Sequence, residues 1–397
     1  MTINLYICIK NPFTERDFNR MGIAELSKNF NLKIFDCTPW LLPKALKTRG
    51  NKVFKHPSRV EISSLQDLIK AIQSDGGYIL DFVGQFSPRA ILMFAVFRIR
   101  KIHIVVMDSG AYPAPDNFFV ARSFTKKIFE ALRHGGFMLH LMARINWLLI
   151  KILPNQRPYI AFVSGDAWRT VSRFLSAEKK IPAHSFDYEV YRRLNGVSDN
   201  TNESTDGPFA VYLDEDVTGH EDNVEMGLAA PASSDEYYPS LSRFFDRYES
   251  VSGHRIIIAA YPGRESSQLN KQFRDREICY NQTAKLVKNA SIIFAHASTA
   301  ISFAVLWKKP IIFLTSKQIL KSWYQPWIEA PQILLKAPLI NIDSSASFIL
   351  SDLPFIDLLS YDQYVKAFIK ATNSAEQPLW NIVCRTLLLE GDHNIGR

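Results

Sequence analysis

The sequence predicts an α/β protein made of two Rossmann-like halves, each a parallel sheet covered by helices. Three observations predict it. Short β-branched runs alternate with helical patterns in both halves. The 397 residues exceed one core and suggest two domains of roughly 150–200 residues each. A polar tract rich in turn formers, residues 195–207, separates the halves and has the composition of a linker. The expected organisation is therefore a first domain over 1–194, a linker over 195–207 and a second domain over 208–397.

In the first half, residues 3–9 read as a strand, 17–29 carry helical periodicity, and 32–35 form a second strand ending at Asp36. A helix over 65–74, a strand over 77–82, a helix over 87–99 and strands over 102–107 and 159–163 follow. This alternation implies a parallel sheet, whose ligands sit beyond the carboxyl ends of the strands. Asp108 and Asp166 stand at two such ends. In the second half, strands are expected over 209–213, 255–260, 291–295 and 310–314, with helices over 237–250, 283–288 and 299–307 between them. Tyr238, Leu241, Phe244, Phe245 and Tyr248 repeat at helical spacing, and the tail from 361 to 389 is largely helical in pattern.

Apolar residues at 47% and charged residues at 22% give an ordinary globular balance, which argues against a disordered or membrane-embedded chain. The net charge of +8 suits an anionic partner. Nucleotide phosphate, acidic glycan, nucleic acid and membrane surface all qualify, but no DNA- or RNA-binding motif accompanies the charge, so no nucleic-acid role is expected. Cys8, Cys37, Cys279 and Cys384 lie far from metal-ligand spacing and read as reduced core cysteines of a cytoplasmic protein. The opening MTINLYICIKNPF reads as a first strand and not as a signal peptide. Residues 137–153 are apolar but interrupted by His140, Arg144, Asn146 and Lys151, too short and too charged for an easy membrane span. With Arg122, Lys126, Lys127 and Arg133 before them, they read either as a buried helix or as a basic amphipathic segment on anionic lipid.

Three strand-end segments carry chemistry. In LDEDVTGHED, residues 213–222, five acids and His220 follow a strand. Crowded carboxylates raise one another's pKa and supply a general base or a nucleophile; the plain alternative is a solvated acidic loop. Asp214-Glu215-Asp216 mimics a metal-binding triplet without being of the metal-dependent transferase type, and no metal is expected. In IIIAAYPGRESS, residues 256–267, a buried strand stops at Tyr261, Pro262, Gly263 and Arg264. Proline fixes such a turn, glycine lets backbone approach a ligand, and arginine grips phosphate in bidentate fashion; a tight turn with a solvated arginine is the alternative. In FAHASTAISFAVLWKKPIIFLTS, residues 294–316, a strand gives way to His296, Ser298 and Thr299 ahead of a helix. Hydroxyls and free amides there suit an anion, although many capped helices bind nothing. Thr283 is expected to cap the helix after Tyr280-Asn281-Gln282.

The order strand, AxPxR loop, T-x-x-L-V helix, strand, H-x-S-T-A-I helix, Lys309-Pro310, strand resembles the carboxyl-terminal half of two-domain GT-B glycosyltransferases. It is most similar to the bacterial enzymes of capsule and lipopolysaccharide assembly that use CMP-activated sugars, the sialyltransferase-like and Kdo transferases. In that group a His-Pro motif and a later Ser/Thr motif hold the nucleotide, and they fall here on Tyr261-Pro262 and Ser298-Thr299. The departure is Tyr261, which can donate a hydrogen bond to phosphate but carries no charge; Arg264 is placed to compensate. The segment 213–220 resembles an acidic site of the retaining β-Kdo transferases, which implies Asp214 as nucleophile, with Asp216 next and Glu215 in support. Residues 181–191, IPAHSFDYEVY, resemble an interdomain segment of the same group.

The resemblance implies a GT-B fold with two Rossmann-like domains facing a central cleft. It implies a cytoplasmic transferase, peripheral on the inner membrane face, that passes a sugar from a nucleotide donor, sharpest as CMP-Kdo, to a lipid-linked glycan. Tyr261, Pro262, Arg264, His296, Ser298 and Thr299 would bind the donor. Asp108, Asp166, His220 and Thr283 would be further cleft residues, and no cofactor would be needed. A UDP- or GDP-sugar transferase, a nucleotide-sugar 2-epimerase and a non-catalytic subunit of a polysaccharide assembly complex are the alternatives.

Overall fold

A computed structural model describes residues 3–43, 53–72, 76–84, 87–110, 112–115, 148, 157–196, 207–220, 223, 228–262, 264, 266–274, 276–344 and 354–395. Apart from residue 148, the apolar segment 137–153 lies outside these, as do residues 197–206 of the expected linker, Gly263, Glu221 and Asp222. Among the described residues, no helix is long and apolar enough to cross a membrane.

The chain divides into two compact units. In the first, seven strands run parallel: β1 (Asn4–Ile9), β2 (Asn31–Asp36), β3 (Arg59–Glu61), β4 (Tyr78–Asp81), β5 (His103–Met107), β6 (Ile160–Val163) and β7 (Lys179–Pro182). Their order is β3-β2-β1-β4-β5-β6-β7. Alternation along β1 sends Leu5, Ile7 and Ile9 into one buried layer and Tyr6 and Cys8 into the other, because successive side chains of a strand face opposite ways. The second layer is completed by Ala90, Met93, Phe94 and Phe97 of the helix Pro88–Ile99, started by Ser87, whose hydroxyl accepts the Ala90 amide. The first is completed by Leu379, Val383 and Leu387 of the helix Leu379–Ile395.

In the second unit, β8 (Phe209–Leu213), β9 (Arg255–Ala259), β10 (Ile278–Cys279), β11 (Ile292–Ala295), β12 (Ile311–Thr315) and β13 (Leu339–Asn341) form a six-stranded parallel sheet in the order β10-β9-β8-β11-β12-β13. Relabelled by position, the second sheet follows 3-2-1-4-5-6 and the first extends the same order by a seventh strand, the doubly wound order in which the strand sequence reverses beside the first strand. The helix Ser234–Ser252 packs Leu241, Phe244, Phe245 and Tyr248 into the core of this sheet.

The units divide elsewhere than at 194 and 208. Helix Phe186–Gly196 belongs to the second unit from Asp187 onward, where Tyr188 and Val190 pack on its core. Residues from Ala371 belong to the first unit, since the apolar face of the last helix is used there. Tyr112 packs on the second unit's core.

The single helix expected over 17–29 is two, Glu15–Arg20 and Ile23–Asn29, broken at Gly22. Gly22 has a φ of 58°, outside the right-handed helical region, and a Cβ there would stand 2.1 Å from the Trp380 ring, so glycine fits this break where other residues would not. The tail comprises Leu358–Tyr364, a π-helical turn over Val365–Ile369 and the terminal helix, with residues 370–378 outside any helix.

Candidate functional site

β8 ends in three acids with three different fates. Asp214 is buried, its side chain 2% exposed, and is fully engaged. Arg264 Nη1 lies 2.9 Å from both of its oxygens, and the amides of Tyr261 and Asp216 donate to it at 3.2 and 3.3 Å. Arg264 is equally buried; its Nη2 donates to the Tyr238 hydroxyl at 3.0 Å and to Gln272 Oε1. Burial works to lower the Arg264 pKa, but the charge of Asp214, then Tyr238 and Asp216, hold it above its ordinary value. The expected phosphate-gripping arginine is thus the internal partner of the expected nucleophile, tying the loop after β9 to the end of β8. Asp216 has a φ of 49° and approaches Arg264 Nε at 3.6 Å.

Glu215 points the other way, into the crevice between β8 and β11 where the strand order reverses. Its Oε1 accepts the His296 amide at 3.3 Å, its Oε2 accepts the Ala297 amide at 3.1 Å, and Tyr324 donates its O–H to Oε2. Burial raises its pKa from 4.5 to about 7; the Tyr324 hydroxyl and the two amides hold it down, and Asp214 pushes it up. Burial raises the Tyr112 and Tyr324 hydroxyls well above their ordinary value, with the Glu215 charge adding to both. The Tyr112 hydroxyl donates to the Trp327 carbonyl at 3.3 Å.

His296 is fully buried and both ring nitrogens are taken. Nδ1 lies 2.7 Å from the Leu314 carbonyl, which only accepts, so Nδ1 carries the hydrogen and Nε2 accepts from Tyr237 at 2.7 Å. Tyr237 in turn accepts from Tyr212, also at 2.7 Å. This chain crosses the core from β8 through the helix Ser234–Ser252 and the end of β11 to β12. Burial lowers the His296 pKa to about 4, against a smaller opposing effect of the Leu314 carbonyl. His296 is therefore a neutral part of the site's wall and not a surface that meets phosphate.

Ser298 is half-buried and Thr299 exposed. Neither caps the next helix as expected. That helix is Ile301–Leu306, its N-cap is Ala300 and no side chain caps it; the Ser298 hydroxyl accepts the Ala300 amide at 3.3 Å one turn earlier. Thr283 is the first residue of Thr283–Asn289 rather than its cap, which is Gln282. Tyr261 is half-buried with its ring 4.8 Å from His220, and Pro262 is exposed. Beside the site, a pocket of about 390 Å³ opens between the start of the helix Ser234–Ser252 and the ends of β12 and β13. Asp235, Glu236, Tyr237, Arg243, Lys317 and Asp343 line it.

Asp108 and Asp166 lie in the first unit. Asp108 is buried after β5 and accepts the Ser164 amide at 3.4 Å. Asp166 opens a short 3-10 turn, is 46% exposed and pairs with Arg169. Among the described residues, no three or more His, Cys, Asp and Glu side chains gather as metal ligands.

Tyr324, Tyr112 and the Tyr212–Tyr237 pair are the site residues that sequence reading missed. In the sequence Tyr237 is only the first residue of the expected helix over 237–250, and Tyr324 and Tyr112 stand in no motif. Their one shared signal is a polar tip on an otherwise apolar residue, which earns a hydrogen bond when buried.

No family model matches the sequence, and no curated protein sequence matches it. Solved structures do. Two variants of the wall teichoic acid polymerase TagF superpose with TM-scores of 0.59 and 0.56 at 9% identity. They cover 100% and 98% of this chain and 90% and 89% of theirs. The MnaA–UDP structure from S. aureus gives 0.49 at 14% identity, covering 96% of this chain and 95% of its own. Two parallel Rossmann-like sheets of seven and six strands, matched along the whole chain by TagF, give this protein the GT-B fold.

Proposed function

We propose that this chain is a glycosyltransferase that moves a sugar from a nucleotide donor onto a bacterial surface glycan, with the donor's charged end over the carboxyl ends of β8, β9 and β11. One observation carries the reading: a carboxyl poised near neutrality, Glu215, spans the crevice at the reversal of strand order. Ligands of doubly wound sheets sit at that position, and a group that titrates near 7 is suited to giving and taking protons. The GT-B fold supports the nucleotide-sugar class.

In this reading Glu215 handles the proton, and Asp214 with Arg264 fixes the loop that carries Tyr261 and Pro262. Ser298 and Thr299 offer hydroxyls to the donor phosphate, and the pocket beside Tyr237 has room for the nucleoside. Asp216 and His220 border the sugar. Asp108 and Asp166 belong to the acceptor's half. The resemblance of the strand-end motifs makes CMP-Kdo the first donor to try and a lipid-linked glycan on the cytoplasmic membrane face the acceptor. No metal is required, so activity should survive chelation.

The test is hydrolysis and binding of CMP-Kdo, UDP-sugars and GDP-sugars by the purified chain. Turnover of any one, abolished in Glu215→Gln, supports the reading; binding and turnover of a UDP-sugar but not CMP-Kdo removes the Kdo assignment alone. A UDP-sugar converted to its epimer instead of being transferred moves the chain to the 2-epimerases. A second reading, a donor-binding subunit without catalysis, is favoured by the internal engagement of Arg264 and His296. Nucleotide binding without turnover, together with full glycan synthesis by Glu215→Gln in cells, would select it.

A further inference from the structure

We propose that Cys8, Cys37 and Met93 form a three-sulfur site for a soft monovalent cation, Cu(I), inside the first unit. The sulfurs come from three elements: β1, the residue following β2, and the helix Pro88–Ile99. Strand pairing places Cys8 opposite Phe35, and the Cys37 amide donates to the Ile9 carbonyl at 2.9 Å, so both thiols enter the same buried layer. The two Sγ atoms are 3.4 Å apart, and Met93 Sδ lies 3.5 Å from Cys8 and 3.9 Å from Cys37. All three residues are fully buried.

The geometry fits a metal. An ion equidistant from the three sulfurs would stand about 2.1 Å from each, close to the about 2.3 Å of a d10 metal–thiolate bond. The chemistry selects the ion. Two thiols and a thioether without a nitrogen ligand favour a soft cation, and a ring of three donors suits Cu(I) better than zinc, which takes four. The thiols are also poorly satisfied as they stand, since sulfur is a weak acceptor and, among the described residues, Cys8 has only sulfur hydrogen-bond partners. Cys37 adds a long contact of 3.7 Å to the Phe35 carbonyl. By contrast, Cys279 donates to Glu277 at 3.4 Å and Cys384 accepts from Asn29 at 3.8 Å. The aromatic floor of Tyr6 stacked on Phe35 at 4.9 Å shields the layer, and Asp36 beside it pairs with Arg59 at 2.8 Å. Binding changes no oxidation state; each thiol that becomes a thiolate releases one proton to solvent.

The experiment is anaerobic titration of the reduced full-length chain with Cu(I) against bicinchoninate, followed by X-ray absorption of the loaded protein. One copper per chain with three sulfur neighbours is expected. Met93→Leu, a volume-conserving change, should keep the fold by circular dichroism, lose one sulfur neighbour and bind at least tenfold more weakly. Cys8→Ala/Cys37→Ala should lose the copper, whereas Cys279→Ser/Cys384→Ser should keep it. No copper retained by the parent, retention undiminished in Met93→Leu, or nitrogen or oxygen neighbours in the absorption spectrum would each overturn the site.

Discussion

The two sheets share one strand order and end their strands in similar acids, yet the acids are treated differently. In the first unit, Asp36 accepts the Thr38 amide and pairs with Arg59, and Asp81 accepts the amides of Val83 and Gly84 and pairs with Arg173. In the second, Asp214 repeats the pattern with Tyr261, Asp216 and Arg264. A buried aspartate closing its own loop and neutralised by an arginine is thus a recurring device for finishing a strand in this molecule. Glu215, one residue beyond, has donors but, among the described residues, no cationic partner, and burial raises its carboxyl to about 7. The comparison separates the acid that holds the fold from the acid left outside an ion pair among the described residues, and the proposed catalytic role accordingly falls on Glu215 rather than on Asp214.

The largest test of that separation is Arg264→Ala. Removing one partner of a buried pair leaves Asp214 charged and uncompensated, for a loss of about 3–5 kcal/mol. Denaturant melts should show it, and Asp214→Asn added to Arg264→Ala should recover part. A loss under 1 kcal/mol would break the analogy with Asp36 and Asp81.

Glu215 and His296 should tilt stability in opposite directions with pH. Glu215 is raised in the fold, so its contribution is full below 4.5 and fades as pH rises through about 7, by roughly 3 kcal/mol. His296 is lowered, so its contribution is full above 6.5 and fades as pH falls toward about 4, by a similar roughly 3 kcal/mol. The two slopes offset each other between 4.5 and 6.5. Glu215→Gln should therefore remove the loss of stability between about pH 6.5 and 7 and unmask the His296 fall as pH drops below 6.5; an unchanged profile counts against a raised Glu215. If Glu215 moves the reacting proton, the same variant should cut turnover by roughly 10²–10⁴-fold.

The smallest effect is expected from Tyr324→Phe. It deletes one donor to Glu215, with a stability change of about 1–3 kcal/mol, and because that hydroxyl holds the carboxyl down, the alkaline midpoint should move up. A downward move would mean that Tyr324 does not donate to Glu215.

Much of the architecture was legible in the sequence because central strands are buried on both faces and read as apolar runs. Phe209–Leu213 is an example, found at its expected bounds. The four edge strands, β3, β7, β10 and β13, escaped notice. They are only two to four residues long, and RVE and KKIP carry no apolar signature, as edge strands kept short and charged do not. The three loops of the candidate site were legible as strand ends. Which side chains they spend on one another was not, because Arg264 meets Asp214 across 50 positions and Glu215 meets Tyr324 across 109.

The sequence by itself determined the α/β class, the central strands and the place of the polar loops, since all of these follow from local periodicity and turn chemistry. Only the tertiary structure decided that His296 and Arg264 face inward, that the last helix returns to the first unit, and that Glu215 has no cationic partner among the described residues. Those outcomes depend on which groups burial brings within hydrogen-bond reach, and burial joins residues that the chain keeps far apart.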